Sequence, residues 1–215
     1  MAEISAATVK DLREKTGAGM MECKKALTEM GGDFEKAIDY LRKKGMADAA
    51  KRSGRATAEG LVESYIHPGG KIGVMVEVNC ETDFVARNEK FQEFVRNVAM
   101  HVAAAAPQYV RREDVPADLV AKEKAIVADQ VKEEHKAKPK PDNVVEKIVE
   151  GKMGKFFQGI CLMEQPFVKE PDLSIEAYLK SVIANIKENI TIRRFTRFQL
   201  GENIPGEKPA APPAA

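Results

Sequence analysis

The first 45 residues carry hydrophobic side chains at helical spacing, and this spacing predicts three short helices. Between these apolar stretches lie residue types that commonly begin or end a helix. Ser5 and Asp33 are placed as N-caps, and the stops are Thr16–Gly19, Gly31–Gly32 and Gly45. Three helices of this length bury little surface, so we expect a compact bundle. The Ala-, Lys- and Gly-containing stretch Met46–Gly60 would then be its tether.

From Leu61 onward the hydrophobic period changes from helical spacing to two. Apolar and polar residues alternate along Ile72–Cys80, which predicts a strand with one buried face. Leu61–Ile66 predicts its hairpin partner, with His67–Gly70 as the turn. Thr82 is then expected to open one long helix, whose apolar stripe runs from Phe91 to Ala105.

Two narrow apolar seams between about residues 115 and 151 predict a helical hairpin that turns at Lys138–Pro141. The apolar run Phe156–Met163 predicts a strand, and Ile175–Ile186 predicts a helix. Alternation returns from Ile190 to Leu200, although Phe195 is out of phase, which favours a bulge near Arg194.

These elements predict an α+β protein with three parts. Residues 1–54 form the N-terminal helical bundle and its linker. Residues 55–200 form an antiparallel sheet of at least four strands with helices and the inserted hairpin. The Pro- and Ala-rich residues 201–215 are expected to be disordered.

The charge and the cysteines exclude several classes of protein. The 34 basic and 33 acidic residues give a net charge of +1, which does not favour binding to nucleic acid or to an anionic membrane. No apolar run is long enough to span a membrane, and the N-terminus does not resemble a signal peptide. Three widely spaced cysteines predict small buried side chains rather than zinc ligands or disulfides. We therefore expect a cytoplasmic protein.

No motif for catalysis or for a cofactor is present in the sequence. Gly69–Lys71 lacks the spacing of a phosphate-binding P-loop, and Thr16–Met21 lacks the third glycine and the preceding strand of a dinucleotide site. The three histidines are scattered: His101 is expected in the core, His135 in solvent and His67 at a hairpin turn. We expect no cofactor and no enzymatic activity.

The segment Thr82–Val85 allows two interpretations. Thr82 can cap the helix, Asp83 can complement the helix dipole and Phe84 can pack beneath it, which is an ordinary helix start. Alternatively, an apolar side chain beside an acid at the junction of a strand and a helix can be presented to a partner. Both can hold together, because a cap would fix the direction of Phe84.

Seven stretches of the chain resemble the bacterial translation elongation factor Ts family. In the N-terminal part they are Thr16–Leu27, Gly32–Asp33 and Ala37–Ile38, and in the core Val78–Asn88 is similar to that family's signature. The resemblance continues through Gly151–Met153, Gln165–Val168 and Ile190–Phe195.

The resemblance implies an exchange factor that binds GDP-bound and nucleotide-free elongation factor Tu and promotes GDP release by displacing Mg²⁺, after which GTP can bind. It implies that the first 50 or so residues form a ubiquitin-associated-like bundle that docks on the nucleotide domain of Tu. The displacing segment would be Thr82, Asp83, Phe84 and Val85. Further partner contacts would come from Met20, Met21, Lys24, His67 and Ile190. The chain resembles a short form of the family, which implies a homodimer.

Three hypotheses follow for the function. The first is a nucleotide exchange factor. The second is a non-catalytic adaptor, in which Phe84 would be a core residue and no exchange activity would exist. The third is a small enzyme, which would need a converging acid, base or nucleophile that the scattered histidines do not supply.

Overall fold

A computed structural model describes residues 4–136 and 140–202. The chain divides into two compact units. The first unit takes in the chain through Glu63, together with Glu77–Asn97 and Glu176–Arg193. The second takes in Ser64–Val76, Val98–Ile175 and the chain from Arg194. The predicted tail from residue 203 onward, Lys138 and Pro139 of the predicted turn, and the three N-terminal residues lie outside the described part.

The first unit begins with the three predicted helices, α1 (Ala6–Thr16), α2 (Met20–Glu29) and α3 (Phe34–Arg52). Ser5 caps α1 by accepting a hydrogen bond from the Thr8 N–H at 3.1 Å, and Asp33 caps α3 through the Lys36 N–H at 3.1 Å. Both predicted caps are confirmed. The bundle has a core of its own, made by Val9, Leu12, Cys23, Ala26, Leu27 and Ala37.

The third helix does not end at Gly45, as the sequence predicted, but continues for seven residues to Arg52. Glycine weakens a helix interior by about 1 kcal/mol without breaking it. Gly45 also has a packing reason to lack a side chain, since a Cβ there would lie 2.9 Å from the Ala184 Cβ. The predicted tether of Met46–Gly60 is therefore wrong in its first half, and the connection from α3 to the next element is short.

The hairpin of β1 (Glu59–Ile66) and β2 (Ile72–Cys80) forms as predicted. The His67 N–H donates to the Ile72 carbonyl at 2.9 Å, and Gly69 and Gly70 take the positive φ values that the turn requires. Along β2 every second side chain is buried, namely Val74, Val76, Val78 and Cys80.

The single long helix predicted from Thr82 is two helices. The first is one turn, α4 (Asp83–Ala86), and the second is α5 (Glu89–Ala105). Asn88 separates them, because its side-chain oxygen accepts the Lys90 N–H at 2.9 Å and so starts α5 afresh. The predicted apolar stripe of α5 is buried at Phe91, Phe94, Val95, Val98 and Val102.

In the second unit the predicted helical hairpin is present as α6 (Ala117–Glu134) and α7 (Asp142–Ile160). Its core contains Val127, Val131, Val149 and Met153. The strand predicted at Phe156–Met163 is wrong, because α7 continues through Phe156 and Phe157, whose side chains pack against that core.

A small antiparallel pair of strands, β3 (Pro166–Phe167) and β4 (Glu170–Ser174), follows α7. The sequence did not predict it, since two residues cannot establish a period of two.

The last elements are α8 (Ile175–Ile186) and β5 (Ile190–Gln199), both predicted. The antiparallel main sheet has the order β1-β2-β5, so within residues 4–136 and 140–202 it has three strands, not the four or more expected. The α+β class is confirmed. The buried side chains of β5 are at even-numbered positions as far as Ile192, and after it the less exposed side chains are at the odd-numbered positions 195 and 197. The bulge near Arg194 stays a prediction.

Candidate partner-binding surface

The segment Thr82–Val85, called the tip segment below, is held in a capped helical turn directly after β2. Thr82 has extended backbone angles, φ −131° and ψ 155°, and its Oγ1 accepts the Val85 N–H at 3.4 Å. That bond satisfies one of the amide groups that a helix start leaves without an intrahelical partner. The predicted role of Thr82 as N-cap is confirmed.

The turn directs Phe84 outward. The Phe84 side chain is 80% exposed, whereas Ala86, two residues later, is buried at 7%. Val85 is half-buried. The interpretation in which Phe84 packs beneath the helix is wrong, because a turn that buries Ala86 directs position 84 to solvent. An exposed Phe forgoes about 1.5–3 kcal/mol of hydrophobic stabilisation.

Asp83 lies in the first turn of α4 and pairs with Arg87, with 3.1 Å between Oδ2 and Nη2. The side chains are 48% and 79% exposed, so this pair is worth at most about 1 kcal/mol. A competing cation or hydrogen-bond donor can therefore take over the Asp83 carboxylate at little loss of stability.

Glu188, which no local pattern of the sequence marks, bonds to the tip segment from beneath. Its Oε1 accepts the Thr82 hydroxyl at 2.7 Å and its Oε2 accepts the Thr82 N–H at 3.0 Å. The Thr82 hydroxyl thus donates to Glu188 while it accepts from Val85. Glu188 is 106 positions from Thr82, so no local pattern could have indicated the contact.

A second exposed surface, called the α2 face below, consists of Met20, Met21 and Lys24. Met20 is 42% exposed and Met21 is 76% exposed, and Lys24 is also exposed. Residues at these spacings lie on one side of a helix. The opposite side of α2 buries Cys23, Ala26 and Leu27 in the bundle core.

The two remaining predicted contact residues have different environments. Ile190, at the start of β5, is 2% exposed, so its side chain offers no surface in this structure. His67 belongs to the second unit and is exposed at the β1-β2 turn, where its Nδ1 lies 3.2 Å from the Tyr65 hydroxyl.

Comparison with known proteins identifies the family. The sequence profile described as Elongation factor TS matches residues 5–202. A protein named Elongation factor Ts from Geotalea uraniireducens (strain Rf4) is 62% identical over 201 residues, covering 94% of this chain and 91% of the relative. The chain belongs to the elongation factor Ts family. Proteins of the same name from Desulfosudis oleivorans (strain DSM 6200 / JCM 39069 / Hxd3) and Desulforamulus reducens (strain ATCC BAA-1160 / DSM 100696 / MI-1) are 60% and 56% identical, over 94% and 95% of this chain and 100% and 92% of the relatives.

Membership of the elongation factor Ts family confirms the resemblance drawn from the motifs. The matched span includes the tip segment, the α2 face, His67 and Ile190. It ends at residue 202, where the described part of the chain also ends.

In this elongation factor Ts chain, His101 and the three cysteines lie away from solvent. His101 is fully buried, with Nε2 3.0 Å from the Gln165 Oε1 and Nδ1 accepting the Val168 N–H at 3.3 Å. All three cysteines are buried, as predicted, and burial raises the pKa of Cys80 and of Cys161 to about 11. Within the described ranges, no three His, Cys, Asp or Glu side chains are grouped to hold a metal ion, and no helix is long and apolar enough to cross a membrane.

Proposed function

We propose that this protein is a guanine-nucleotide exchange factor for elongation factor Tu, acting in translation elongation in the cytoplasm. It binds Tu–GDP, promotes GDP release and leaves nucleotide-free Tu ready for GTP. The observation that carries the proposal is Phe84, an aromatic side chain 80% exposed in a capped helical turn, in a chain of the elongation factor Ts family.

The tip segment is the part that acts on the nucleotide site of Tu. Mg²⁺ bridges the phosphate oxygens of a bound nucleotide and offsets their charge, so a disturbed Mg²⁺ shell weakens nucleotide binding. Phe84 enters an apolar pocket of Tu and Asp83 lies beside it, and together they displace Mg²⁺. Thr82 and Val85 hold the turn that presents them. Support comes from the exposure of Phe84 and the weakly held Asp83 carboxylate.

Thermodynamic linkage supplies the driving force. A protein that binds empty Tu more tightly than Tu–GDP lowers the affinity of Tu for GDP by the same factor. No covalent bond is made or broken by the exchange factor, which is therefore not an enzyme and needs no cofactor of its own.

The α2 face makes the second contact, with the nucleotide domain of Tu. Two exposed methionines give an adaptable apolar surface, and Lys24 adds a charge at its edge. His67 is a further contact from the second unit. Ile190 is buried, and we therefore give it a supporting position in β5 rather than a place on the contact surface.

We also propose that the protein forms a homodimer and binds no nucleic acid. Support for the dimer comes from apolar side chains in or next to the strands of the second unit that are more than half exposed, namely Ile66, Met75, Phe198 and Leu200. Light scattering at micromolar concentration tests this directly, and a monomeric mass would refute it.

Release of mant-GDP from purified Tu, with and without this protein, tests the proposed exchange activity. We expect the wild-type protein to accelerate release and Phe84→Ala to lose most of that acceleration. Ile126→Ala is the matched control, since it truncates an exposed apolar side chain on α6, outside the proposed surfaces. A wild-type protein that binds Tu but leaves GDP release at its intrinsic rate would favour the adaptor hypothesis instead.

A further inference from the structure

Three consecutive residues of the first unit, Lys187, Glu188 and Asn189, connect α8 to β5 and bond to three different elements. Lys187 has a positive φ of 68°, uncommon for a residue other than glycine, and its N–H donates to the Ile183 carbonyl at 2.8 Å. This backbone turn places the side chains of the 187–189 loop in different directions.

Glu188 bonds to the tip segment. Both of its carboxylate oxygens bond to Thr82, one through the hydroxyl at 2.7 Å and the other through the backbone N–H at 3.0 Å. A carboxylate held by two donors of one residue fixes both the backbone and the side-chain rotamer of that residue. The rotamer matters because the Thr82 Oγ1 is the cap that accepts the Val85 N–H.

Lys187 bonds to the helix that carries the α2 face. Its Nζ lies 3.0 Å from Oε1 of Glu22, whose other carboxylate oxygen accepts the Gly19 N–H at 3.2 Å at the start of α2. Burial acts to raise the pKa of Glu22, but the Lys187 ammonium and the Gly19 N–H outweigh it and leave that pKa below its ordinary value. The carboxylate that anchors α2 is thus charged at neutral pH.

Asn189 completes the connection and is buried at 3%. Its N–H donates to Oε1 of Glu81, the residue before the tip segment, at 2.6 Å. Its side-chain amide donates to the Arg55 carbonyl at 2.7 Å and lies 3.4 Å from the Ser53 carbonyl, both in the connection after α3. Asn189 therefore contacts both the connection that follows α3 and the residue that precedes the tip segment.

We propose that Glu188 is the positioning residue of the tip segment, and that the 187–189 loop presents Phe84 and the α2 face as one preformed binding surface. This deepens the proposed function and rests on it. A preformed surface binds more tightly because less ordering is required on association. When only a fraction of molecules holds the competent arrangement, apparent affinity falls by that fraction while the bound complex is unchanged.

Glu188→Ala tests the proposal through a split between two kinetic quantities. We expect the concentration of exchange factor that gives half-maximal GDP release from Tu to rise about tenfold, the shift expected if about a tenth of the molecules remain competent. The maximal rate at saturation stays within twofold. Glu188→Gln keeps one acceptor for the Thr82 hydroxyl, so its half-saturating concentration should lie between those of wild type and Glu188→Ala.

Glu176→Ala is the matched control, because exposed Glu176 lies at the start of α8 and its side chain pairs only with half-buried Lys180 in the described chain. The control should leave both quantities unchanged. A Glu188→Ala protein with an unchanged half-saturating concentration would overturn the proposal. So would one whose maximal rate falls in step with its folded fraction, since that is a merely structural effect.

A double-mutant cycle and an amide measurement remove the remaining ambiguity. Thr82→Val removes the hydroxyl and keeps the backbone N–H, so if Glu188 acts mainly through the hydroxyl that caps α4, adding Glu188→Ala should shift half-saturation by less than twofold more. Hydrogen exchange of the Thr82 and Val85 amides in the free protein should accelerate about tenfold in Glu188→Ala. If wild-type protein fails to release GDP while these amides still respond, the proposed function falls and the positioning role stands. Unchanged amides in both Glu188 variants would overturn the positioning role.

Discussion

At the scale of single residues, Phe84 and Phe91 lie seven positions apart and have opposite environments. Phe91 is fully buried in α5, whereas Phe84 is 80% exposed on α4. The fold buries a phenylalanine at position 91 but leaves the one at position 84 exposed to solvent. A side chain kept exposed on a braced turn is better explained by contact with a partner than by stability of the isolated fold.

Truncating each phenylalanine should therefore give opposite results in urea unfolding. Phe84→Ala should change the free energy of unfolding by no more than about 0.5 kcal/mol, since it removes few contacts. Phe91→Ala should destabilise by about 3–5 kcal/mol, because it leaves a cavity in the core. A loss of the larger size for Phe84→Ala would place that side chain in the core and support the adaptor hypothesis.

His101 links the end of α5 to the β3-β4 pair through neutral-state hydrogen bonds. With Nδ1 accepting the Val168 N–H, the proton is assigned to Nε2, which donates to Gln165. Phe167 covers the ring at a centroid distance of 6.1 Å. Burial lowers the pKa of His101 below its ordinary value of 6.5, although the Gln165 bond acts in the opposite direction.

This lowered pKa makes stability depend on pH with a definite sign. Above pH 6.5 the imidazole is neutral in both states, and its contribution is fully present. Below pH 6.5 the unfolded chain takes up the proton first, so the free energy of unfolding falls by up to about 1.4 kcal/mol per pH unit until the folded pKa is reached. Urea midpoints between pH 5 and 7.5 should show this slope in wild type and in His67→Gln, and His101→Gln should lose it.

The two kinds of site residue differ in how far sequence could reveal them. Thr82 was predictable because an N-cap is a local pattern. For Phe84 the sequence left two alternatives, a side chain packed beneath the helix and a side chain presented to a partner. Glu188 was not predictable, since its partner lies 106 positions away and only the folded chain brings them together. Burial of Ile190 likewise depends on neighbours that are not local in sequence.

At the scale of elements, the error in the length of α3 arose at a glycine and the error in the length of α7 arose in an apolar run. The side chains Val149, Met153, Phe156, Phe157 and Ile160 recur at spacings of three and four within α7. Gly151, Gly154 and Gly159 interrupt the sequence without ending that period, so the helical pattern was present and the glycines obscured it. The short β3-β4 pair, by contrast, carries too few residues for any pattern.

Replacing the helical glycines separates packing from helix propensity. Gly151→Ala should stabilise by about 0.5–1 kcal/mol, because a Cβ there meets nothing within 4 Å. Gly45→Ala should instead destabilise by about 1–3 kcal/mol, since its Cβ would lie 2.9 Å from the Ala184 Cβ and overpack the contact. Thermal unfolding of both variants measures the difference, and a stabilised Gly45→Ala protein would show that α3 and α8 can separate freely.

At the scale of the whole molecule, the question is whether the N-terminal bundle unfolds on its own. A domain boundary at residue 54 remains a prediction from sequence. Within the first unit, however, the bundle has contacts beyond that boundary: Gly45 against Ala184, and Glu22 with Lys187. These contacts favour a shared transition for the bundle and the rest of the first unit.

The three buried cysteines can report this directly, because each lies in a different part of the chain. Cys23 is in the bundle core, Cys80 ends β2 in the first unit, and Cys161 follows α7 in the second unit. Burial raises all three thiol pKa values, to about 11 for Cys80 and Cys161, so at pH 8 a folded protein should react very slowly with a thiol reagent. Brief alkylation at increasing urea, read by mass spectrometry for each cysteine, then measures local opening.

We expect Cys23 and Cys80 to lose protection at the same urea concentration, since the 187–189 loop bonds both to α2 and to the segment after Cys80. Glu188→Ala should lower the urea concentration at which Cys80 loses protection. Cys23 should still lose protection at that same concentration, because Lys187 and Asn189 still bond to α2, Glu81 and Arg55. Loss of protection at Cys23 alone, in lower urea, would instead support an independent bundle ending near residue 54. In that case the α2 face and the tip segment would take up their relative positions only on binding. The proposal that they form one preformed binding surface would then be wrong.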